Sequence, residues 1–360
     1  MEHLRPDDPE QIGPYTVLAR LDPTDGPRPS GELRYVARTP DGLRTVLAVV
    51  PRPGTDPVRW AIEAEGARRL SLPEPPPGLA PVTETGGTAN APWYAHPYLP
   101  VLPLPEALAR YGGPLPEPVV RALGAALATT LATVHAEGFT HAGLSATAVL
   151  LGAEGPLLTS YGAVRTAAPD GEQRIDVPGL DPGCVAPEQA QGGRPRPSGD
   201  VFALGAVLAY AACGHTVPER EELPAGLRSL ITACLSRDPA KRPAVDEVRQ
   251  TLAGRAPVAT LVDGASGTAT ADALTLAFGS PGVSADTTTL PFGTAATPAD
   301  TATVGFGLAA AGPHGDVGDG SYPSTGAGPF PLPAGLVEAL VRDAAALLAT
   351  ELPVPTSALD

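Results

Sequence analysis

One lysine, Lys241, stands among the 24 basic residues of this 360-residue chain; every other base is an arginine. Chemistry that needs a lysine elsewhere is therefore excluded, because arginine stays protonated and does not substitute for a compact ammonium. Aromatic residues are only 4% of the chain, so any core is built from Leu, Val and Ala. Basic charge is outweighed by 39 acidic residues, for a net charge of −15, which argues against nucleic-acid binding through a basic surface. Three cysteines, Cys184, Cys213 and Cys234, are too few, odd in number and too widely spaced for a zinc or disulfide framework. They read as reduced structural thiols of a cytoplasmic protein. The opening MEHLRPDDPEQ is charged and does not read as a signal peptide. The most apolar stretch, 121–136, is interrupted by Arg121 and His135, so no membrane span is expected.

Turn formers, by contrast, are plentiful: 45 Pro and 41 Gly, spread along the whole chain. With 43% hydrophobic residues a real core remains affordable. Charge divides the chain where Pro and Gly do not. Residues 256–360 carry ten acids and one base, Arg342. A globular domain over 1–254, followed by a weakly charged tail, is the natural reading. Alternating or β-branched runs at 15–21, 33–40, 44–51 and 93–99 predict strands, with a helix over 58–72. Val120, Leu123, Leu127, Leu131 and Val134 recur near a 3.6 period and predict a helix over 117–137. Strands at 149–152 and 156–162 and helices at 199–213, 224–236 and 244–253 follow. Strands dominate early and helices late, an α+β layout of two lobes, about 10–99 and 100–254.

The tail, 255–331, repeats itself. ADALTLAFG (271–279), ADTTTLPFG (285–293) and ADTATVGFG (299–307) recur every 14 residues. Each places a threonine three residues after the aspartate (Thr275, Thr289 and Thr303) and ends on Phe-Gly. The composition otherwise reads as disordered. A terminal amphipathic helix is expected over 332–350, with Leu332, Leu336, Leu340, Ala344, Leu347 and Leu348 on one face, docking on a partner or on the globular domain.

Four ordered segments carry a family resemblance. IGPYTVLARL opens the domain; THAGLSATAVLL (140–151) follows the long helix; LLTSYGAVR (157–165) comes next; and CVAPEQA (184–190) precedes SGDVFALGAVLAYAACG (198–214). With Ala186-Pro187-Glu188-Gln189, the Asp200-x-Phe-x-Leu-Gly stretch and Arg237-Asp238-Pro239-x-x-Arg242-Pro243, residues 10–254 resemble an actinobacterial-type serine/threonine protein kinase domain. The resemblance implies a two-lobed fold with a small β-rich N-lobe and a larger helical C-lobe.

The chemistry of that family needs a strand lysine paired with a helix glutamate, an aspartate for the substrate hydroxyl, and an asparagine and a second aspartate for magnesium. Here the glycine-rich loop is DPTDGPRPSGELRY, in which Pro23, Pro27 and Pro29 remove backbone donors that would cradle phosphate. The lysine position is Val49 or Val50. The aspartate is Gly143, the lysine of the same loop is Ser145, the metal-binding asparagine is Ala148 and the second aspartate is Ser160. A serine hydroxyl does not replace a carboxylate on magnesium. Glu63 sits where the partner glutamate belongs and, without a lysine, reads as a solvated helix residue. Structural positions survive: His141, Gly162, Glu188, Asp200, Gly205 and Arg242. Glu188 and Arg242 resemble the family's buried ion pair.

These readings lead to a catalytically inactive, pseudokinase-type scaffold or regulatory protein with no required cofactor and no metal. Its expected partners are proteins, an active kinase or a phosphothreonine-binding domain among them. Asp170, Asp176 and Asp181 lie between Gly162 and Ala186 as conceivable replacement carboxylates. Leu33, Ala48 with its neighbour Leu47, and Leu150 are candidates to sandwich an adenine for weak, metal-independent ATP binding; ordinary core packing is the competing reading. Thr275, Thr289 and Thr303 are candidate phosphoacceptors, while Phe278, Phe292 and Phe306 are alternative anchors. The alternative function is a divergent serine/threonine kinase that still binds ATP and transfers phosphate.

Overall fold

The early β-branched runs form one antiparallel sheet. In a computed structural model that describes residues 2–22, 31–175, 177–254 and 330–349, strands β1 (Gln11–Ile12), β2 (Tyr15–Arg20), β3 (Glu32–Arg38), β4 (Thr45–Pro51), β5 (Glu84–Thr88) and β6 (Ala91–Pro97) pair in the order β1-β2-β3-β4-β6-β5. Strand β5, the sequence ETGGT, was not expected: two glycines and no β-branched pair mask it. Its register against β6 makes it the edge of the sheet. Helix α1 (Pro57–Leu70) starts where Asp56 caps the amides of Val58 and Arg59 and Pro57 presets the first turn.

Alternation gives this sheet two buried faces. Leu47 and Val49 lie in one cluster with Trp60, Ala64 and Ala67 of α1. Val46 and Ala48 lie in another with Tyr15, Tyr35 and Trp93. Side chains one residue apart on β4 thus meet different partners.

The helical lobe follows. It holds β7 (Val101–Pro103), α2 (Leu104–Tyr111), α3 (Glu117–Ala136), β8 (Val149–Gly152), β9 (Gly155–Leu158), α4 (Ala163–Ala167), α5 (Pro187–Ala190), α6 (Pro197–Cys213), α7 (Arg228–Cys234) and α8 (Val245–Ala253). Strands β7, β8 and β9 form a second, three-stranded sheet. The apolar stripe of α3 (Val120, Leu123, Leu127, Leu131 and Val134) is fully buried, with α6 and α8 packed on the helix. Helix α6 is apolar on nearly all sides and forms the centre of the lobe. Among the described helices, α3 is long and apolar enough to cross a membrane by length and composition. Its apolar side chains are already taken up by this core, Arg121 pairs with Glu117 and the Gly226 carbonyl, and His135 bonds to Asp200.

Strand β9 ends at Leu158 rather than running to residue 162, because Ser160 adopts a left-handed backbone (φ 61°). The chain divides into two units, Met1–Ala256 with Ser321–Asp360, and Pro257–Gly320. The repeats, their threonines and phenylalanines, and the expected disorder of the tail lie outside the described residues, as do Asp176 and the side chain of Leu348. In the first unit the terminal helix, α9 (Ala334–Leu348), docks on the domain itself, burying Leu336, Ala339, Leu340 and Leu347.

Glu188 at α5 and Arg242 form the expected lock. Two parallel bonds of 2.7 and 2.8 Å join them, and Arg242 also donates to the carbonyls of Ser236 and Ser198 and stacks over Phe202. Arg242→Ala strands Glu188 and two backbone carbonyls. Because Glu188 is part-exposed, urea denaturation should show a loss near the lower end of the buried-pair range, about 3 kcal/mol; a loss below about 1 kcal/mol would assign the lock elsewhere.

Candidate functional site: the cleft between the lobes

Asp200 organises the floor of the cleft. Its carboxylate accepts the amides of His141 and Ala142, each at 2.8 Å, and bonds His135 Nε2 at 2.8 Å. These bonds hold Ala142 at a left-handed φ of 52°. The loop then engages the turn after β9, with Gly162 N bonded to His141 O and Val164 N to Ala142 O, both at 2.8 Å. His141 is fully buried, edge-on to Tyr161 at 5.7 Å. Burial pushes its pKa down to about 4, with Arg165 and His135 adding to the shift and Asp200 opposing it.

On this intact backbone the expected catalytic positions hold small groups with structural contacts. A Cβ at Gly143 would coincide with the Ser160 carbonyl oxygen, so glycine is what lets the two loops approach this closely. Ser145 caps a short 3₁₀ turn, accepting the Ala148 amide at 3.3 Å. Ala148 is fully buried, and its carbonyl accepts both the amide and the hydroxyl of Thr159, at 2.8 and 2.9 Å.

The N-lobe side settles several alternatives. Val49, not Val50, faces α1, and Val50 packs on the opposite face of the sheet. Glu63 is not a solvated glutamate: Arg165 Nε of α4 donates to it at 2.8 Å, Nη2 lies 2.7 Å away as an ion pair, and the guanidinium stacks on Tyr161. The adenine-sandwich set does not converge. Leu33 and Ala48 belong to the far-face cluster, whereas Leu47 and Leu150 lie on the α1 side.

Facing the cleft instead are the neighbours of Leu33. The Glu32 carboxylate accepts Ser160 Oγ at 2.7 Å, Tyr94 Oη at 2.9 Å and Trp60 Nε1 at 3.1 Å. Its pKa is raised by burial, against the pull of Ser160, Tyr94, Arg34 and Trp60. Trp60 and Tyr94 stack with centroids 5.0 Å apart. The Arg34 guanidinium, 1% exposed, lies on Asp22 through several bonds, including Nε–Oδ2 at 2.9 Å, and reaches Thr159 Oγ1 at 3.3 Å. Two side chains of β3 thereby bond to the residues at and before the Ser160 position of the other lobe.

Among the described residues no group of three His, Cys, Asp or Glu is placed to hold a metal ion. Among the described residues Glu32 accepts from Ser160, Tyr94 and Trp60, and Arg34 is neutralised by Asp22. The space left between Gly31, Glu32, Gly143, Ser145, Ser160 and Asp181 is about 30 Å³, room for a water or two. The two replacement carboxylates among the described residues both have partners. Asp170 bonds Arg174 at 3.0 Å, and Asp181 accepts the Gly183 amide. Arg174 itself is buried and donates to the carbonyls of Ala168, Gln189 and Gly193, pinning the segment after α4.

Glu32, Arg34, Asp22, Arg165 and Arg174 were missed by sequence reasoning. One signal was present: Glu32 and Arg34 fall in phase with Val36, on the face that strand alternation sends into the cleft.

No family model matches the chain. It is 34% identical over 274 residues to the probable serine/threonine-protein kinase PkwA of Thermomonospora curvata, covering 69% of this chain and 35% of that protein. It is 31% identical over 277 residues to the serine/threonine-protein kinase AfsK of Streptomyces coelicolor, covering 70% and 33%. The chain thus spans about a third of the length of these curated relatives. Among solved structures, the PknI kinase domain of Mycobacterium tuberculosis superposes with a TM-score of 0.51 at 22% identity, covering 68% of this chain and 97% of that domain. The two-lobed architecture is therefore protein kinase-like, and the sequence relatives are serine/threonine kinases.

The buried histidine makes a pH prediction. His141 has a folded pKa near 4, below its unfolded value near 6.5, so its neutral form contributes stability above pH 6.5 that is lost as pH falls toward 4. Across that window His141→Phe should flatten the fall of unfolding free energy by up to about 1.4 kcal/mol per pH unit. Parallel profiles for the two proteins would show that His141 titrates normally.

Proposed function

We propose that the serine/threonine protein kinase-like domain of this chain is catalytically silent and acts as a regulatory scaffold for protein partners. The observation that carries this reading is the Glu32 carboxylate, bonded to Ser160, Tyr94 and Trp60 across the cleft. Phosphoryl transfer depends almost wholly on positioning and on metal-borne electrostatics. Val49, Gly143, Ala148 and Ser160 supply neither, and Gly143 has no room for a side chain. What the chain keeps is the apparatus of shape: the Asp200 bonds to the loop and the Glu188–Arg242 lock.

A silent cleft on a maintained fold leaves binding as the mode of action. The threonines Thr275, Thr289 and Thr303 are suited by their strict repeat to phosphorylation by an active kinase and recognition by a phosphothreonine-binding domain, since each phosphate adds charge and strong acceptors. Three copies would give avidity to such a partner. The three free cysteines suit a reducing compartment, and we place the protein in the cytoplasm on that ground.

The test is a thermal-shift titration of the full chain with ATP, alone and with magnesium or manganese, beside an autophosphorylation assay with labelled ATP. We expect no metal-dependent shift and no label; a metal-dependent shift together with label would overturn the proposal. Gly143→Asp should lower stability by about 1–3 kcal/mol through overpacking and confer no transfer.

A further inference from the structure

Helix α9 reaches both large apolar clusters of the domain. Leu336, Ala339 and Leu340 are buried in the cluster that contains Leu104 and Leu108 of α2. Two turns on, Leu347 is buried in the other cluster, with Leu21, Leu47, Tyr94, Val101 and Leu150. Between them Asp343 accepts a hydrogen bond from Arg110 Nη1 of α2 at 3.2 Å and lies 3.0 Å from Nη2 as an ion pair, while Glu106 accepts Nε of the same guanidinium at 2.8 Å. Tyr98, in the segment joining β6 to β7, feels the same end of the helix: its pKa is pushed up to about 12 by burial and by Asp343. That segment is where the chain passes from one lobe to the other. The helix therefore bridges the crossing point, opposite in kind to the polar ties of Glu32 and Arg34 inside the cleft.

We infer that α9 is a releasable clasp: docked, it holds the two lobes together across residues 98–103, and undocked, it frees them. Among the described residues its grip is four buried aliphatic or alanine side chains and one ion-pair site, with Phe330 and Leu332 half-buried just before it. Its other face is exposed at Val337 and Val341, and no side chain caps its first turn. An element held by so few contacts opens as a local unit, without unfolding the lobe beneath it. Residues 255–329 separate it in sequence from α8, so release leaves it tethered to the same chain. This reading is independent of whether the cleft transfers phosphate.

Hydrogen exchange read by mass spectrometry on the full chain tests it. Asp343→Arg sets like charge against Arg110 and should speed exchange in peptides from 334–348 and from 98–103 together, by about tenfold or more, with α3 and α6 unchanged. The charge-swapped double variant, Arg110→Asp with Asp343→Arg, should return both regions toward the wild-type rate. Leu347→Ser, which removes the helix from the cluster of Leu21, Leu47, Tyr94, Val101 and Leu150 and leaves the ion pair in place, should speed 98–103 even if Asp343→Arg perturbs the whole domain. Acceleration confined to 334–348 in both single variants would overturn the clasp, as would a swap that restores neither region.

Discussion

A carboxylate buried between two lobes must be met by donors, and Glu32 draws them from three parts of the chain. Trp60 comes from α1, Tyr94 from β6 and Ser160 from the turn after β9. Leaving such a group unpaired costs far more than any one of these bonds returns, so helix, sheet and C-lobe turn are constrained to one mutual position. Arg34, two residues along the same face, imposes a similar demand, which Asp22 and Thr159 answer. The close approach of Gly143 to Ser160 sits directly beneath this cluster. Cleft geometry here is set by side chains of the protein itself.

Positions that match the kinase motifs and positions that differ from them are tied into the fold in different ways. Asp200 and the Glu188–Arg242 pair are buried or half-buried partners in networks, where removing one member strands the others. The positions replaced by Gly143, Ser145 and Ala148 hold up nothing of this kind beyond local backbone turns. Ser145 and Ala148 have been absorbed into those turns. Glu63 illustrates the middle case: with valine at the expected lysine position, it is held by Arg165, three residues after Gly162.

Much of the fold was legible because it rests on periodicity. The stripe of α3 and the apolar α6 define the helical core, and the motif around Glu188 and Arg242 identified their pairing. The cleft was less legible for a specific reason. On a strand a one-residue choice selects the face, so Leu33 and Ala48 looked like cleft residues when Arg34, Leu47 and Val49 occupy that side. Partners far apart in sequence, such as Glu32 with Ser160 or Arg110 with Asp343, leave no local pattern; only tertiary packing brings them together. The amphipathic face of α9 was readable, but its division between two clusters was not.

The account stands on an intrachain bond doing the work of an interlobe tie. A double-mutant cycle of Glu32→Leu and Ser160→Ala, with unfolding free energies measured in the absence of nucleotide, tests that bond directly. The account predicts a coupling of about 1–3 kcal/mol, as for a hydrogen bond to a charged group in a buried network. Additive losses, with coupling under about 0.3 kcal/mol, would contradict it.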